Sequence, residues 1–302
     1  MSARPISVIG ATGQVARALQ RVAMARCTPL IAAGRPQADI ADAASLRAFL
    51  AVSNPSLVIN AAAYTAVDKA ESDADAAHTI NCNGPAALAA LCDNAGVPLI
   101  HLSTDYVFDG RKRSPYVEDD VCVPACVYGR TKAAGEDAVR QQIARHVIVR
   151  TAWVYGPEGQ NFLRTMLRLG AERDVLRVVA DQRGTPTSAD HLAAALLDIA
   201  SEIAIAGDEA PWGTYHLTAA GETTWHGFAT EIFRHEREAG RKVPRLDAIT
   251  TAAYPTPAIR PQYSVLDTNK IENAFGIALP PWQAGVADCM KRLAALQLES
   301  AR

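Results

Sequence analysis

Short, unbroken apolar runs alternate with helix-like segments through the first half of the chain, and this alternation narrows the possible folds more than any other feature. The apolar runs are rich in Val and Ile and lie at 6–10, 29–34, 56–63, 97–104 and 146–155. Helical patterns separate them, near 13–26, 43–53, 81–95 and 128–144. Strands that are apolar along their whole length and are separated by helices indicate a parallel sheet covered on both faces. The sequence therefore predicts an α/β fold with a doubly wound parallel sheet.

The pattern loosens in the second half of the chain, where Pro and Gly are denser. Helical patterns lie at 161–170 and 190–204, strand-like runs at 175–181 and 213–219, and a long loop at 252–264. We therefore expect a dinucleotide-binding domain at 1–160 and a smaller substrate-binding region at 161–302. Some segments of the second region are expected to return to the first sheet.

The charge is nearly balanced, with 30 basic and 32 acidic residues and a formal net charge of −2. Neither a nucleic-acid-binding surface nor a polybasic membrane patch is indicated, so the expected partner is a small molecule. The segment MSARPISVIG has no signal-peptide architecture, and no apolar stretch reaches the roughly 18 residues of a membrane span. A cytoplasmic protein is therefore expected.

The cysteines are scattered and predict buried thiols rather than disulfides. Only Cys122 and Cys126 lie close together, and no second Cys or His pair follows them. Because a structural zinc site normally needs four ligands, we expect no metal at this pair.

A glycine pattern follows the first predicted strand, in VIGATGQVARAL at 8–19. Gly10 ends the strand, Gly13 follows three residues on, and Ala16 three beyond that. Small residues there permit a tight turn and a close approach of the backbone to a pyrophosphate at the helix N-terminus. The motif predicts a dinucleotide site.

The second strand ends in AAGRPQADIAD, with Arg35 where an acidic residue would hold the adenosine ribose of NAD. The guanidinium fork suits the 2′-phosphate of NADP, so NADPH is the expected cofactor and NADH the alternative. Asp42 fits the N-cap of the next helix.

Reactive side chains gather at the end of the fourth strand and at the start of the helix after it. Thr104 ends the strand, and Tyr128 and Lys132 stand one helical turn apart. Reduction of a ketone needs a proton on the oxygen, which a phenol can donate, although its ordinary pKa near 10 makes it slow at neutral pH. We expect the charge of Lys132 to lower the pKa of Tyr128, and the Thr104 hydroxyl to bind the substrate oxygen.

Longer motifs cover nearly the whole chain: GATGQVA, NAAAYTAVDKAE (60–71), LSTDYVF (102–108), VYGRTKAAGE (127–136), RTAWVYG (150–156), NFLRTML (161–167), DQRGTPTS (181–188) and YPTPAIRPQYSVLD (254–267). With them the sequence resembles the extended short-chain dehydrogenases/reductases, and within these the dTDP-4-dehydrorhamnose reductase family. The resemblance implies a Rossmann-like fold and NAD(P)H-dependent reduction of dTDP-4-dehydro-L-rhamnose to dTDP-L-rhamnose, for bacterial cell-surface polysaccharides.

The resemblance also implies roles for individual residues. Thr104, Tyr128 and Lys132 are expected to be catalytic, with Thr104 also touching the substrate and the other two the cofactor. The further implied cofactor contacts are Gly10, Thr12, Gly13, Gln14, Val15, Asp39, Ile40, Ala61, Ala62 and Ala63. The implied sugar-pocket residues are Val67, Asp105, Tyr106 and Trp153. Arg260 is a candidate for the nucleotide diphosphate, since bidentate Arg suits phosphate; a structural salt bridge is the alternative.

The chain departs from the family pattern in two places. Ala16 replaces the third glycine, a change that a single methyl group makes tolerable. Some relatives bind Mg²⁺ through acidic residues where subunits meet, but the first helix here carries ARALQR without an acid. Mg²⁺ and the homodimer that it would support therefore stay open.

Two other functions fit parts of the pattern. One is another nucleotide-sugar reductase or epimerase of the superfamily; a dehydratase is disfavoured because Tyr106, not Glu, follows Asp105. The other is a noncatalytic relative of the kind found as the regulatory subunit of methionine adenosyltransferase. The intact Thr104, Tyr128 and Lys132 favour the enzyme.

Overall fold

The structure, a computed structural model, describes residues 4–300, and for 297–300 only the backbone. Its strands are β1 (Ile6–Ile9), β2 (Leu30–Ala33), β3 (Leu57–Asn60), β4 (Leu99–Thr104), β5 (His146–Thr151), β6 (Val154–Tyr155), β7 (Val175–Val179), β8 (Arg183–Gly184), β9 (Thr187–Ser188), β10 (Gly213–His216), β11 (Thr223–Thr224) and β12 (Arg245–Ile249). Its α-helices are α1 (Gln14–Ala25), α2 (Ala43–Ser53), α3 (Val67–Ala70), α4 (Ala74–His78), α5 (Gly84–Asn94), α6 (Val127–Gln142), α7 (Phe162–Glu172), α8 (Ala189–Ala206), α9 (Trp225–Glu238), α10 (Asn269–Phe275) and α11 (Trp282–Ser300).

The central sheet has six parallel strands in the order β10-β5-β4-β3-β1-β2. The apolar strands are buried because helices cover both faces. Residues of α1 and α8 pack against one face, and residues of α2, α5 and α6 against the other. The predicted α/β doubly wound fold is confirmed.

A second core lies beside the sheet and is built from α7, α9, α11 and the parallel pair β7 and β12. The chain passes between the two cores more than once. β10 adds an edge strand to the central sheet beside β5, and α8 packs on α1. The division of the chain at residue 160 stays a prediction.

Candidate active site

The turn after β1 is shaped to bring the backbone of two segments together. Gly10 has φ +99°, and a Cβ on it would lie 2.8 Å from the amide nitrogen of Ala62. Its own N–H donates to the carbonyl of Ala33 at 2.8 Å. Both the left-handed backbone and the close approach require glycine, so the turn lies directly against the loop after β3.

The N-terminus of α1 faces this turn. Its N-cap, Gly13, offers no side-chain cap, and no acidic residue stands in the first turn. The N–H groups of that turn are therefore suited to an anion, as a pyrophosphate-binding helix requires. A Cβ on Gly13 would lie within 3.9 Å of the Ala61 carbonyl, which places the Ala61–Ala63 segment beside the turn. The residues present fit a dinucleotide cofactor.

The loop after β2 lies at the same edge of the sheet. Arg35 is exposed, whereas Ile40 is buried. Asp39 accepts a hydrogen bond from the N–H of Ala41 at 3.0 Å, so its carboxylate shapes the turn. Asp42 caps α2 by accepting from the N–H of Ala44 at 2.9 Å, which confirms the predicted N-cap.

The start of α6 is fixed by two acceptors. Glu71, from the NAAAYTAVDKAE motif, accepts from the N–H of Val127 at 2.8 Å. The Sγ atom of Cys126 accepts from the N–H of Gly129 at 3.4 Å. These contacts place Tyr128 in the first turn, where its ring meets that of Tyr106 edge to face at 5.5 Å.

Thr104 and Asp105, at the end of β4, lie next to these two rings, and both are buried. The space that Thr104, Asp105, Tyr106 and Tyr128 line is called the crevice below. The Thr104 hydroxyl donates to Oδ1 of Asp105 at 3.0 Å and accepts from the N–H of Tyr106 at 3.2 Å. The other carboxyl oxygen, Oδ2 of Asp105, is buried and has no partner in good hydrogen-bond geometry. Burial raises the pKa of Asp105 to about 6, although the hydroxyls of Ser264 and Thr104 pull it down.

The expected effect of Lys132 on Tyr128 is wrong in this structure. Burial raises the pKa of Tyr128 well above its ordinary value, and the hydrogen bond with Thr104 opposes this only in part. The negative charge of Asp105 adds to the rise. Lys132 is not among the main groups that shift the pKa of Tyr128, and its ammonium donates to the Leu102 carbonyl of β4. The phenol is therefore fully protonated at neutral pH.

Lys132 is almost completely buried and is held against β4. Its Nζ donates to the carbonyl of Leu102 at 2.7 Å and lies 3.5 Å from Nε2 of His101. Burial lowers the pKa of Lys132 to about 8, and the charge of Glu136 raises it in part. The Nδ1 atom of His101 meets Nδ2 of Asn60 at 3.0 Å, which links Lys132 to the loop after β3.

Arg260 reaches the same crevice from the long loop before α10. Its guanidinium donates to Oδ2 of Asp68 at 2.7 Å and to the Tyr106 hydroxyl at 3.3 Å. The salt-bridge alternative is therefore present. Arg260 also lines a cavity of about 620 Å³ whose wall is largely apolar: Phe162, Met166, Leu169, Leu176, Val178 and Trp225 among others.

Trp153 and Val67, both implied by the resemblance, lie in separate parts of the structure, after β5 and at the start of α3. The Trp153 ring stacks on that of Trp225 at 3.6 Å, and Trp225 lines the cavity. The backbone of Trp153 is left-handed, with φ +46°, which is a strained conformation for a bulky residue. Val67 begins α3 and is half-buried.

Several residues around the site were not identified from the sequence. Asp68 lies in the motif at 60–71 and Ser264 in the motif at 254–267, but the sequence gives no sign that either side chain reaches the site. The sequence could have pointed to Glu136, because it follows Lys132 by one turn of the same helix and therefore lies on the same helical face. Arg150, the partner of Glu136, and His101, the neighbour of Lys132, could not be found in this way, because only the folding of the sheet brings them next to α6.

No group of three or more His, Cys, Asp or Glu side chains within residues 4–296 is arranged to hold a metal ion. Over the same part of the chain, no helix is both long and apolar enough to cross a membrane.

Comparison with known protein sequences gives consistent matches over almost the whole chain. A family model described as the RmlD substrate binding domain matches residues 4–295. The dTDP-4-dehydrorhamnose reductase of Sinorhizobium fredii is 43% identical over 279 residues, which cover 92% of this chain and 94% of that protein. The enzyme of the same name from Escherichia coli K12 is 42% identical over 294 residues, covering 95% and 97%.

Solved structures give the same result. The dTDP-4-dehydrorhamnose reductase of Clostridium acetobutylicum superposes with a TM-score of 0.88 at 38% identity, covering 96% of this chain and 99% of that one. The Bacillus anthracis enzyme, solved in complex with NADP, has a TM-score of 0.88 at 32% identity, covering 96% and 100%. The Bordetella bronchiseptica enzyme WbmG, in complex with NAD and UDP, shares the fold at 18% identity, with a TM-score of 0.78 and coverage of 96% and 94%.

Proposed function

The chain belongs to the dTDP-4-dehydrorhamnose reductase family, a family of nicotinamide-dependent oxidoreductases, and from this premise we propose that it reduces the 4-keto group of dTDP-4-dehydro-L-rhamnose with NADPH. The product, dTDP-L-rhamnose, would serve as a sugar donor for bacterial cell-surface polysaccharides. The carrying observation is that the Tyr128 phenol, the Thr104 hydroxyl and the glycine turn all open on the carboxyl edge of one parallel sheet, where ligands of such sheets bind.

The cofactor site is proposed at the turn after β1. The pyrophosphate would bind the N–H groups of Gln14 and Val15, with Gly10, Thr12 and Gly13 forming the turn, in which the Gly13 N–H donates to the Gly10 carbonyl at 3.0 Å. The segment Ala61–Ala63 would flank the nicotinamide half, and the loop of Asp39 and Ile40 the adenine half. When bound, the cofactor supplies the hydride.

The preference for NADPH is proposed from Arg35. This side chain is exposed at the end of β2, and no carboxylate within the described residues 4–296 is paired with it at salt-bridge distance. An exposed guanidinium in that place is free to pair with a 2′-phosphate. NADH would lack this contact and bind more weakly.

Tyr128 is the proposed proton donor. Since burial raises the pKa of the phenol, Tyr128 keeps its proton until negative charge develops on the substrate oxygen. The Thr104 hydroxyl lies in the same hydrogen-bonded group and would bind that oxygen. The Lys132 ammonium would hold the ribose of the cofactor from behind the phenol.

The apolar cavity is proposed for the nucleotide part of the substrate. Its volume of about 620 Å³ lies within the range of small-molecule sites. Arg260 lines it, and its guanidinium would leave Asp68 to bind the diphosphate bidentately. Val67, Asp105, Tyr106 and Trp153 would surround the sugar.

The test is NADPH oxidation followed at 340 nm with a panel of 4-keto nucleotide sugars, including dTDP-4-dehydro-L-rhamnose. We expect turnover with that sugar nucleotide to exceed turnover with the others, and dTDP-L-rhamnose to form in equal amount to the NADPH consumed. If another sugar nucleotide is turned over faster, that compound would replace dTDP-4-dehydro-L-rhamnose as the proposed substrate. Absence of turnover with every member would favour the noncatalytic relative.

A further inference from the structure

A buried ionic group, Glu136 and Arg150, lies one helical turn beyond Lys132, and neither residue is among the proposed cofactor or substrate contacts. Glu136, on α6, is 1% exposed, and Arg150, on β5, is 2% exposed. The guanidinium binds the carboxylate with two parallel hydrogen bonds, Nε to Oε1 at 2.9 Å and Nη2 to Oε2 at 2.7 Å. Bidentate pairing of this kind fixes both side chains in orientation.

Further contacts tie the Glu136 carboxylate to the neighbouring elements. The Ser103 hydroxyl of β4 donates to Oε1 at 2.5 Å, and Nη2 of Arg140 donates to Oε2 at 2.7 Å. Burial would raise the pKa of Glu136, but the hydrogen bonds from Arg150 and Ser103 and the positive charges of Arg150 and Arg140 hold it below its ordinary value. Glu136 is therefore negatively charged at neutral pH, although it is in the interior.

The Glu136 carboxylate lies between β4 and α6, close in the sequence of both elements to Thr104 and Lys132. Ser103 immediately precedes Thr104, and Glu136 follows Lys132 by one turn of α6. Of the charged groups around the Lys132 ammonium, Glu136 is the one that stabilises its positive form. His101, the nearest group on β4, has its pKa lowered well below the ordinary value by burial and by Lys132, so it is neutral.

We propose that Glu136 is a positioning residue for the reduction: its carboxylate, fixed by Arg150 and Ser103, keeps the Lys132 ammonium charged and in register with β4. Only the expected effect on turnover rests on the proposed function; the expected effect on the charge of Lys132 does not. Without the carboxylate, Lys132 would face the neutral His101 and the carbonyl of Leu102 in an apolar interior, where an amine loses its proton readily.

Charged or titratable groups face this pair from several elements. The loop before α6 contributes Cys122, whose Sγ lies 3.2 Å from Nη2 of Arg150, and Glu118, whose carbonyl accepts from Nη1 of Arg150 at 3.3 Å. β4 contributes His101, and β5 contributes Arg150, which is bound to Glu136. α6 itself contributes Tyr128, protonated at neutral pH, and Arg140, which is bound to Glu136 and to the exposed Asp137. β10 contributes His216, whose pKa burial lowers to about 3, so it too is neutral.

The first test measures the charge of Lys132 without cofactor or substrate. The chain contains few lysines, so the ε-carbon signals of a [13C]lysine-labelled sample can be resolved by NMR, and a Lys132→Arg sample assigns the one of interest. In Glu136→Gln we expect the titration midpoint of Lys132 to fall by about one pH unit or more, the scale set by loss of a nearby opposite charge. Glu136→Asp should restore most of the shift.

Asp137→Asn is the matched control. Asp137 is the next residue of α6 and also binds Arg140, at 2.6 Å, but it is exposed. Its replacement should leave the Lys132 midpoint and the activity unchanged. If Glu136→Gln fails to fold because Arg150 is left unpaired, Glu136→Gln combined with Arg150→Met removes both charges. The midpoint should still fall, but by less than in the single variant, because the repulsion between Arg150 and Lys132 is lost as well.

The second test is the pH dependence of turnover. Glu136→Gln should lose activity increasingly as the pH rises, with the upper limit of the profile moved to lower pH and the KM for the nucleotide sugar nearly unchanged. An unshifted Lys132 midpoint, or a loss of turnover that is equal at every pH, would overturn the proposal. If the wild type reduces none of the sugars, the proposed function fails while the NMR result still decides the role of Glu136.

Discussion

Replacement of Asp105 by Asn should reveal the free energy that this buried carboxyl costs. Asp105 is 2% exposed, and burial raises its pKa from an ordinary value of 3.8 to about 6. In the folded state the carboxyl therefore holds its proton up to about pH 6, whereas in the unfolded chain it loses it near pH 4. Between these values the folded state binds more protons, so the free energy of unfolding falls as the pH rises.

The size of the fall follows from the two pKa values. A difference of about two units corresponds to about 3 kcal/mol once both states are ionised, near pH 8, and to about half of that at pH 5. An amide does not titrate, so Asp105→Asn escapes this loss. The stability of the variant relative to the wild type should therefore rise by about 1.5 kcal/mol between pH 5 and pH 8.

The assay is urea unfolding of both proteins at several pH values, followed by Trp fluorescence. Any change in packing or hydrogen bonding that the amide introduces is independent of pH, so only the slope of the difference is diagnostic. Asp109→Asn is the control: the Arg111 N–H and the Tyr116 hydroxyl lower the pKa of Asp109, so its difference should be flat from pH 5 to 8. A flat difference for Asp105→Asn as well would refute the reasoning.

Three further predictions concern the reaction. Tyr128→Phe should lower turnover by about 10²-fold or more, the usual scale for a general acid, while NADPH binding by fluorescence titration stays nearly intact; unchanged turnover would remove the phenol from its role. Arg35→Ala should raise the KM for NADPH more than the KM for NADH, and equal effects would contradict the 2′-phosphate contact. Arg260→Ala should raise the KM for the nucleotide sugar about tenfold or more with little change in kcat, the scale of a lost charge-assisted hydrogen bond to phosphate; an unchanged KM would leave Arg260 with its salt bridge to Asp68 alone.

The sequence by itself determined the central sheet. The predicted strand at 6–10 is β1, and the helical pattern at 43–53 coincides with α2. A buried parallel strand appears in the sequence as a continuous apolar run, and an amphipathic helix as a periodic one, so both can be recognised locally. The glycine turn could also be predicted locally, because its positive φ and its close approach to Ala62 both require the glycine at position 10. The sequence pattern does not predict α9 and α11, because their contacts come from a second core assembled from distant segments, nor α10, which packs on the first core.

The electrostatics of the site were decided only by the tertiary structure. Spacing alone placed Tyr128 and Lys132 on one helical face, and from it we expected a lowered pKa for the phenol. Burial reverses the sign of that shift, and the Lys132 ammonium donates to the carbonyl of Leu102. Glu136 and Arg150 stand apart in sequence, and only the docking of α6 on β4 and β5 makes them a pair. A pKa depends on the solvent excluded and the charges brought near, and both are set by packing between elements rather than by the order of residues.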